Sequence, residues 1–193
     1  MAKKLVCYGD SNTYGYDPRA YIGERLPENL RWTGILKTEF GFELAEYGLN
    51  GRQIPASQAE FDALFSALRR EAPFDALIIM LGSNDAVFMP QPSPQAVAGR
   101  MDALLRRLSA QNELCPGAHT LLIAPPAADI PGLGWRCGVI AGLGEEFSAV
   151  AARHGAEFMR AGELSLSFDG VHLSPEGHRQ LAEKIRNKLN LIF

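Results

Sequence analysis

The run Ala76-Leu77-Ile78-Ile79-Met80-Leu81 constrains this chain more than any other stretch. No polar residue interrupts it, so it reads as a strand buried on both faces, and hence as a central strand of a parallel sheet. Parallel neighbours need long crossover connections, usually helical. The rest of the chain supplies both parts. Residues 4–8 and 120–124 are further apolar runs, and residues 156–159 make a short one. Residues 42–47 alternate apolar and acidic side chains, as a strand nearer the sheet edge does. Helical spacing appears at 31–40 (Trp32, Ile35, Leu36, Phe40), with Gly41 ending that helix, and at 56–70 (Phe61, Leu64, Phe65, Leu68). It recurs at 94–111, 139–154 and 174–189, where Ser174 suits an N-cap and Pro175 the first helical position. Strands alternating with helices predict an α/β fold with right-handed crossovers and helices on both faces of a parallel sheet. Residues 16–30, 48–55 and 125–138 read as loops, as does the stretch of Pro90, Pro92 and Pro94 before its helix. With no repeat, low-complexity tract or linker, residues 1–193 read as one domain.

Charge and composition narrow the partners. A net charge of −3 gives no reason to expect nucleic acid or an anionic membrane. The apolar run after Lys3 and Lys4 is too short for a signal-peptide core, and no stretch reaches membrane-spanning length. The expected location is cytoplasmic. Cys7, Cys115 and Cys137 are far apart and form no C-x-x-C pair, so neither a zinc site nor a disulfide framework is expected. Cys7 is expected to pack as a small buried hydrophobe.

In an open parallel sheet, ligands bind beyond the carboxyl ends of the strands. Tyr8-Gly9-Asp10-Ser11-Asn12-Thr13-Tyr14-Gly15 follows the first strand, Gly48 to Gly51 the second, and Gly82-Ser83-Asn84-Asp85 the central one. Asp169-Gly170-Val171-His172 precedes the last helix. A serine hydroxyl is a weak nucleophile until a base lies within hydrogen-bond reach. Of the four histidines, His119 precedes a strand, His154 ends a helix and His178 lies inside one. His172 alone sits on a loop with a carboxylate three residues before it. Ser11, His172 and Asp169 are the parts of an activated acyl-transfer nucleophile, with Asp169 fixing the tautomer of the imidazole. The Ser11 N–H, the Asn84 amide and the Gly51 N–H are candidate donors to an oxyanion. Each of these segments also has a plainer reading, as a helix cap or a turn.

Taken jointly and in order, these blocks resemble the SGNH hydrolases, the GDSL-type esterases and lipases. The resemblance runs from near residue 4 to near residue 180. It implies a three-layer α/β/α fold with a flavodoxin-like five-stranded parallel sheet. It also implies Ser11 as nucleophile and first oxyanion donor, Gly51 and Asn84 as the other donors, His172 as base and Asp169 as its orienter. Within the family the chain is most similar to the bacterial arylesterase/acyltransferase branch. The residues are Cys7 to Gly15, Arg31-Trp32-Thr33-Gly34, Glu46 to Arg52 and Ile79 to Asp85. Two departures stand out: the loop after Gly51 is shorter than in that branch, and Gly51 stands where a relative can carry alanine.

The expected activity is hydrolysis of small carboxylic esters, short-acyl or aryl, through an acyl-enzyme, with acyl transfer to alcohols as an extension. No cofactor or metal is expected. Asp10, Asn12, Val87, Phe88 and Trp135 are the expected pocket residues, the segment around Met89 and Leu133 lying beside them. A homo-oligomer is left open. The alternatives are an acyl thioesterase, a carbohydrate deacetylase, a flavin- or phosphate-binding module built on residues 11–15, and a non-catalytic interaction domain.

Overall fold

The computed structural model describes residues 2–20, 24–111 and 116–193. Cys115 and part of the loop read over residues 16–30 lie outside them. Five parallel strands, β1 (Lys4–Gly9), β2 (Glu43–Gly48), β3 (Ala76–Met80), β4 (His119–Pro126) and β5 (Glu157–Gly162), lie in the order β2-β1-β3-β4-β5. β3 is central and β2 is an edge strand, as their side-chain patterns require. The principal helices are α2 (Trp32–Thr38), α3 (Gln58–Glu71), α5 (Pro94–Ser109), α6 (Gly134–Arg153) and α7 (Pro175–Ile192). Two short ones, α1 (Ser11–Tyr14) and α4 (Ser83–Phe88), occupy stretches that read as turns.

The period-two alternation of a strand divides the core into two layers. Val6, Tyr8, Leu77, Ile79 and Leu122 face α3, α5 and α6. Leu5, Cys7, Ile78, Met80, Leu121 and Ile123 face α2 and α7. This is the three-layer α/β/α arrangement. Cys7 is fully buried, and burial pushes its thiol well above the ordinary value. The helices start where their caps allow. Ser57 and Glu60 form a reciprocal capping box at α3, and the Ser93 and Ser174 hydroxyls accept from the third residues of α5 and α7.

Several boundaries differ from expectation for local reasons. β4 continues through Pro125 and Pro126 because its last residues sit at the strand's end, where a missing N–H removes little of the ladder. α6 begins at Gly134, before the apolar stripe that starts at Val139. The loop 16–30 contains a short 3-10 turn, Glu28–Leu30, and an antiparallel bridge between Tyr16 and Arg25.

The strand order makes β1 and β3 the point where the chain's progression across the sheet reverses. Ligand crevices form at such a point, beyond the carboxyl ends of the strands. α1 leaves β1 there and α4 follows β3 there. Among the described residues, no helix is long and apolar enough to cross a membrane.

Candidate active site

Ser11 opens α1 directly after the turn that ends β1. The Asp10 carboxylate caps the helix by accepting the Asn12 N–H at 3.0 Å, and Gly15 closes it in a left-handed conformation. Asp10 is 2% exposed, and burial pushes its carboxyl up to about 7. The Asn12 N–H works against that rise, the Asp85 charge adds to it and Arg52 opposes it.

The loop before α7 brings the other two parts to Ser11. His172 Nε2 lies 3.0 Å from Ser11 Oγ, and its Nδ1 lies 2.5 Å from Asp169 Oδ2. The second oxygen of Asp169 accepts the N–H groups of Val171 and His172 at 3.2 and 3.1 Å. Burial raises the Asp169 pKa, but the three bonds outweigh it and hold the carboxyl below its ordinary value. With the Nδ1 proton pointed at the carboxylate, Nε2 has a lone pair toward the hydroxyl and can take its proton. Gly170 permits the tight turn. Its φ is +71°, and an added Cβ would lie 1.8 Å from the Asp129 carbonyl oxygen. The Asp129 N–H donates in turn to the Gly170 carbonyl at 2.7 Å.

The second and third loops converge on the same edge. Asn84 Nδ2 donates to the Arg52 carbonyl at 3.0 Å, which leaves its other amide hydrogen for a ligand. Gly51 has φ +74°, so an alanine here would be strained. Arg52 staples this loop to the end of β1. Its guanidinium donates to the carbonyls of Gly9, at 2.9 Å, and Tyr47, and lies 4.1 Å over the Tyr8 ring. Among the described residues, the Ser11 and Gly51 N–H groups donate to no other group. Asp85, fully buried, accepts the Ile54 N–H and pairs with Arg100, bracing α4 against the loop after Arg52.

The expected pocket residues divide. Phe88 and Trp135 are 63% and 58% exposed. Their elements meet where Arg136 donates to the Ala86 and Met89 carbonyls at 2.8 and 3.3 Å. Leu49 and Phe168, 55% and 73% exposed, stand on the second loop and just before Asp169, and are apolar rim residues the sequence reading missed. Val87 is half-buried and packs on the core. Asp10 and Asn12 depart from expectation. Both are almost fully buried, with their side chains engaged in capping and in holding the histidine loop, so they lie under the crevice and not in its wall.

Four residues support the site in ways the sequence reading did not assign: Asn12 was expected in the pocket wall, and Arg52, Tyr16 and Trp32 had no role in the site. Asn12 bonds to both neighbours of His172, and Arg52 anchors the second loop. The Tyr16 ring packs at 4.6 Å from the His172 ring, and the Trp32 indole N–H donates to the Asn12 carbonyl at 2.9 Å. Only the clustering of Asn12, Tyr16 and Arg52 beside Ser11 and Gly51 pointed to them.

Comparison with known proteins places the chain in a family. The model of the GDSL-like lipase/acylhydrolase family matches residues 7–180. A GDSL lipase of Mycobacterium tuberculosis is 28% identical over 190 residues, covering 94% of this chain and 79% of that protein. The native aryl esterase of M. smegmatis superposes with a TM-score of 0.85 at 26% identity, over 100% of both chains. Est24, a carbohydrate acetylesterase of Sinorhizobium meliloti, superposes with a TM-score of 0.81 at 28% identity, over 99% of this chain and 100% of that one. The chain therefore belongs to the GDSL-like lipase/acylhydrolase family, the SGNH hydrolases, and is an ester-hydrolysing enzyme.

Proposed function

We propose that Ser11 is the nucleophile, His172 the general base, and Asp169 the group that orients and stabilises the imidazole. Small carboxylic esters of aryl or other apolar alcohols are the substrates. The observation that carries this reading is the continuous relay from Ser11 Oγ through the His172 ring to the Asp169 carboxylate. Ser11 Oγ bonds to the ester carbonyl carbon as its proton passes to Nε2. The oxyanion is held by the N–H groups of Ser11 and Gly51 and by the Asn84 amide. Collapse breaks the bond to the alcohol, which leaves with the proton from Nε2. Water then loses a proton to Nε2 as its oxygen bonds to the acyl carbon. The second collapse breaks the acyl C–Oγ bond, returns the proton to Oγ and frees the acid. An alcohol in place of water gives acyl transfer.

The exposed apolar side chains Leu49, Phe88, Trp135 and Phe168 stand on the loops and helix ends around the crevice, which suits an apolar alcohol group. Likeness to an aryl esterase supports the same preference. A second reading, deacetylation of carbohydrates, is supported by likeness to a carbohydrate acetylesterase and by Trp135, an exposed ring of the kind that sugars stack on. Phosphate binding at α1 is disfavoured because the Asp10 carboxylate occupies that helix end.

The test is a panel of aryl acetates, longer aryl esters, acetylated sugars and acyl thioesters, assayed with the wild type and Ser11→Ala. Aryl acetates are expected to give the highest kcat/KM, with no turnover in the variant. Turnover by Ser11→Ala at the wild-type rate would reject the mechanism, and preference for acetylated sugars would reject the aryl assignment.

A further inference from the structure

Resting on the reading above, we infer that Asn12 is a positioning residue that holds His172 in register while Ser11 is acylated, so that its loss falls on deacylation. Asn12 is 3% exposed, although the residue after a nucleophile on a crevice edge has no need of a buried amide. Its Nδ2 donates to the Val171 carbonyl at 3.1 Å and its Oδ1 accepts the Leu173 N–H at 2.8 Å. These two groups flank His172 in the chain. Asn12 is fixed in its own place, since its N–H donates to Asp10 Oδ1 and its carbonyl accepts the Trp32 indole N–H. One side chain thus ties α1 to the loop on both sides of the imidazole.

The other hydrogen bond between α1 and this loop, among the described residues, is Ser11 Oγ to His172 Nε2. That bond is transient. Once Oγ is bonded to an acyl carbon it has lost its proton and no longer donates to Nε2. The alcohol has left with the Nε2 proton by the time the acyl-enzyme forms, and His172 must then take a proton from water. In the free enzyme the hydroxyl helps to place the ring. In the acyl-enzyme the loop is held to α1 by the Asn12 bonds. Bonds within the loop, from Asp169 to the Val171 and His172 N–H groups and from the Ser167 N–H to the His172 carbonyl, keep its shape but do not set its distance from Ser11. The Asp129 N–H to Gly170 bond and the packing of Tyr16 on the ring give further support, from other segments.

The test compares wild type, Asn12→Leu and Asn12→Thr with an aryl acetate. Leucine keeps the volume and removes both bonds; threonine serves if leucine fails to fold. kcat/KM reports the steps through acylation, whereas kcat is governed by the slower half-reaction. Misplacing a catalytic group by about 1 Å can cost about 100-fold, so kcat is expected to fall between about 10- and 100-fold. KM should fall in step, leaving kcat/KM within about threefold, and intact mass should show acetyl on Ser11 at steady state. Fluorophosphonate labelling of Ser11 in the wild type is run alongside; no labelling would reject the nucleophile assignment itself. With labelling intact, unchanged kinetics, or equal losses in kcat and kcat/KM without accumulated acyl-enzyme, would overturn the role of Asn12. So would a lowered melting temperature with wild-type kcat restored on cooling.

Discussion

Replacing Asp169 by asparagine separates orientation of the imidazole from everything else this residue does. The Asp169 oxygen that accepts from the Val171 and His172 N–H groups has a counterpart in the asparagine amide oxygen, so the turn keeps both bonds. The other oxygen, 2.5 Å from His172 Nδ1, becomes an NH₂ donor. Two donors cannot face each other, so the ring moves its proton to Nε2. That nitrogen then points a proton at Ser11 Oγ and cannot accept one. In triads where this tautomer change has been isolated, kcat falls about 10⁴-fold, which is about 5.4 kcal/mol on the barrier. The assay is steady-state hydrolysis of an aryl acetate, with a thermal melt for each protein. The expected result is a loss of about three to four orders of magnitude in kcat with a melting temperature within about 3 °C of the wild type. A loss of less than about tenfold would mean that His172 takes its tautomer from another group, and the relay would have no catalytic meaning.

Other perturbations read separate parts of the site and fold. Asn84→Ala should lower kcat by about 10²–10³ with KM little changed, measured by initial rates; a change confined to KM would return this residue to a turn-forming role. Phe88→Ala and Trp135→Ala should raise KM for aryl esters more than for methyl esters of the same acid, which a paired Michaelis analysis checks. Burial, reinforced by the nearby positive charge of Arg31, pushes buried His178 down to about 3, so protonation opposes folding. Its contribution is intact above the ordinary histidine value of about 6.5 and is lost as pH falls toward about 3, at up to about 1.4 kcal/mol per pH unit. His178→Asn, which keeps an acceptor for the Trp32 N–H, should flatten the decline in urea midpoint between pH 6.5 and 4. Asp10 has the opposite sign. Its folded pKa of about 7 lies above the ordinary value of about 3.9, so stability falls as pH rises through that window. Asp10→Asn keeps the helix cap and should raise the urea midpoint at pH 8 more than at pH 4.

The sheet was legible because burial on both faces writes itself into the sequence. Residues 76–81 have no polar interruption, and residues 42–47 alternate, so a central and an edge strand could be told apart before their partners were known. The short helices α1 and α4 were not legible. Both begin at glycine-flanked polar residues, Asp10-Ser11-Asn12 and Ser83-Asn84-Asp85, whose propensities favour turns. Particular hydrogen bonds decide them instead: the local Asp10 cap and the distant Trp32 indole for α1, the Ile54 and Arg100 bonds to Asp85 for α4. Ser11, Asp169 and His172 stood out because their chemistry is rare in combination. Asn12 was expected in the pocket wall, and Arg52 was a motif residue with no role. Their work is to join segments far apart in the chain, Asn12 to Leu173 and Arg52 to Gly9, and no local pattern encodes such a bond. Asp10, expected in a pocket wall, is buried because its carboxylate caps α1 beneath the crevice.

Reaction with a fluorophosphonate tests the nucleophile assignment most directly. The reagent forms a stable bond only with a serine whose hydroxyl is deprotonated by a neighbouring base. Intact mass and peptide mapping should show one adduct per chain, on Ser11, with loss of esterase activity in proportion to labelling and no adduct on Ser11→Ala. Full ester hydrolysis by a protein whose Ser11 stays unmodified, or an adduct on another residue that abolishes activity, would contradict it.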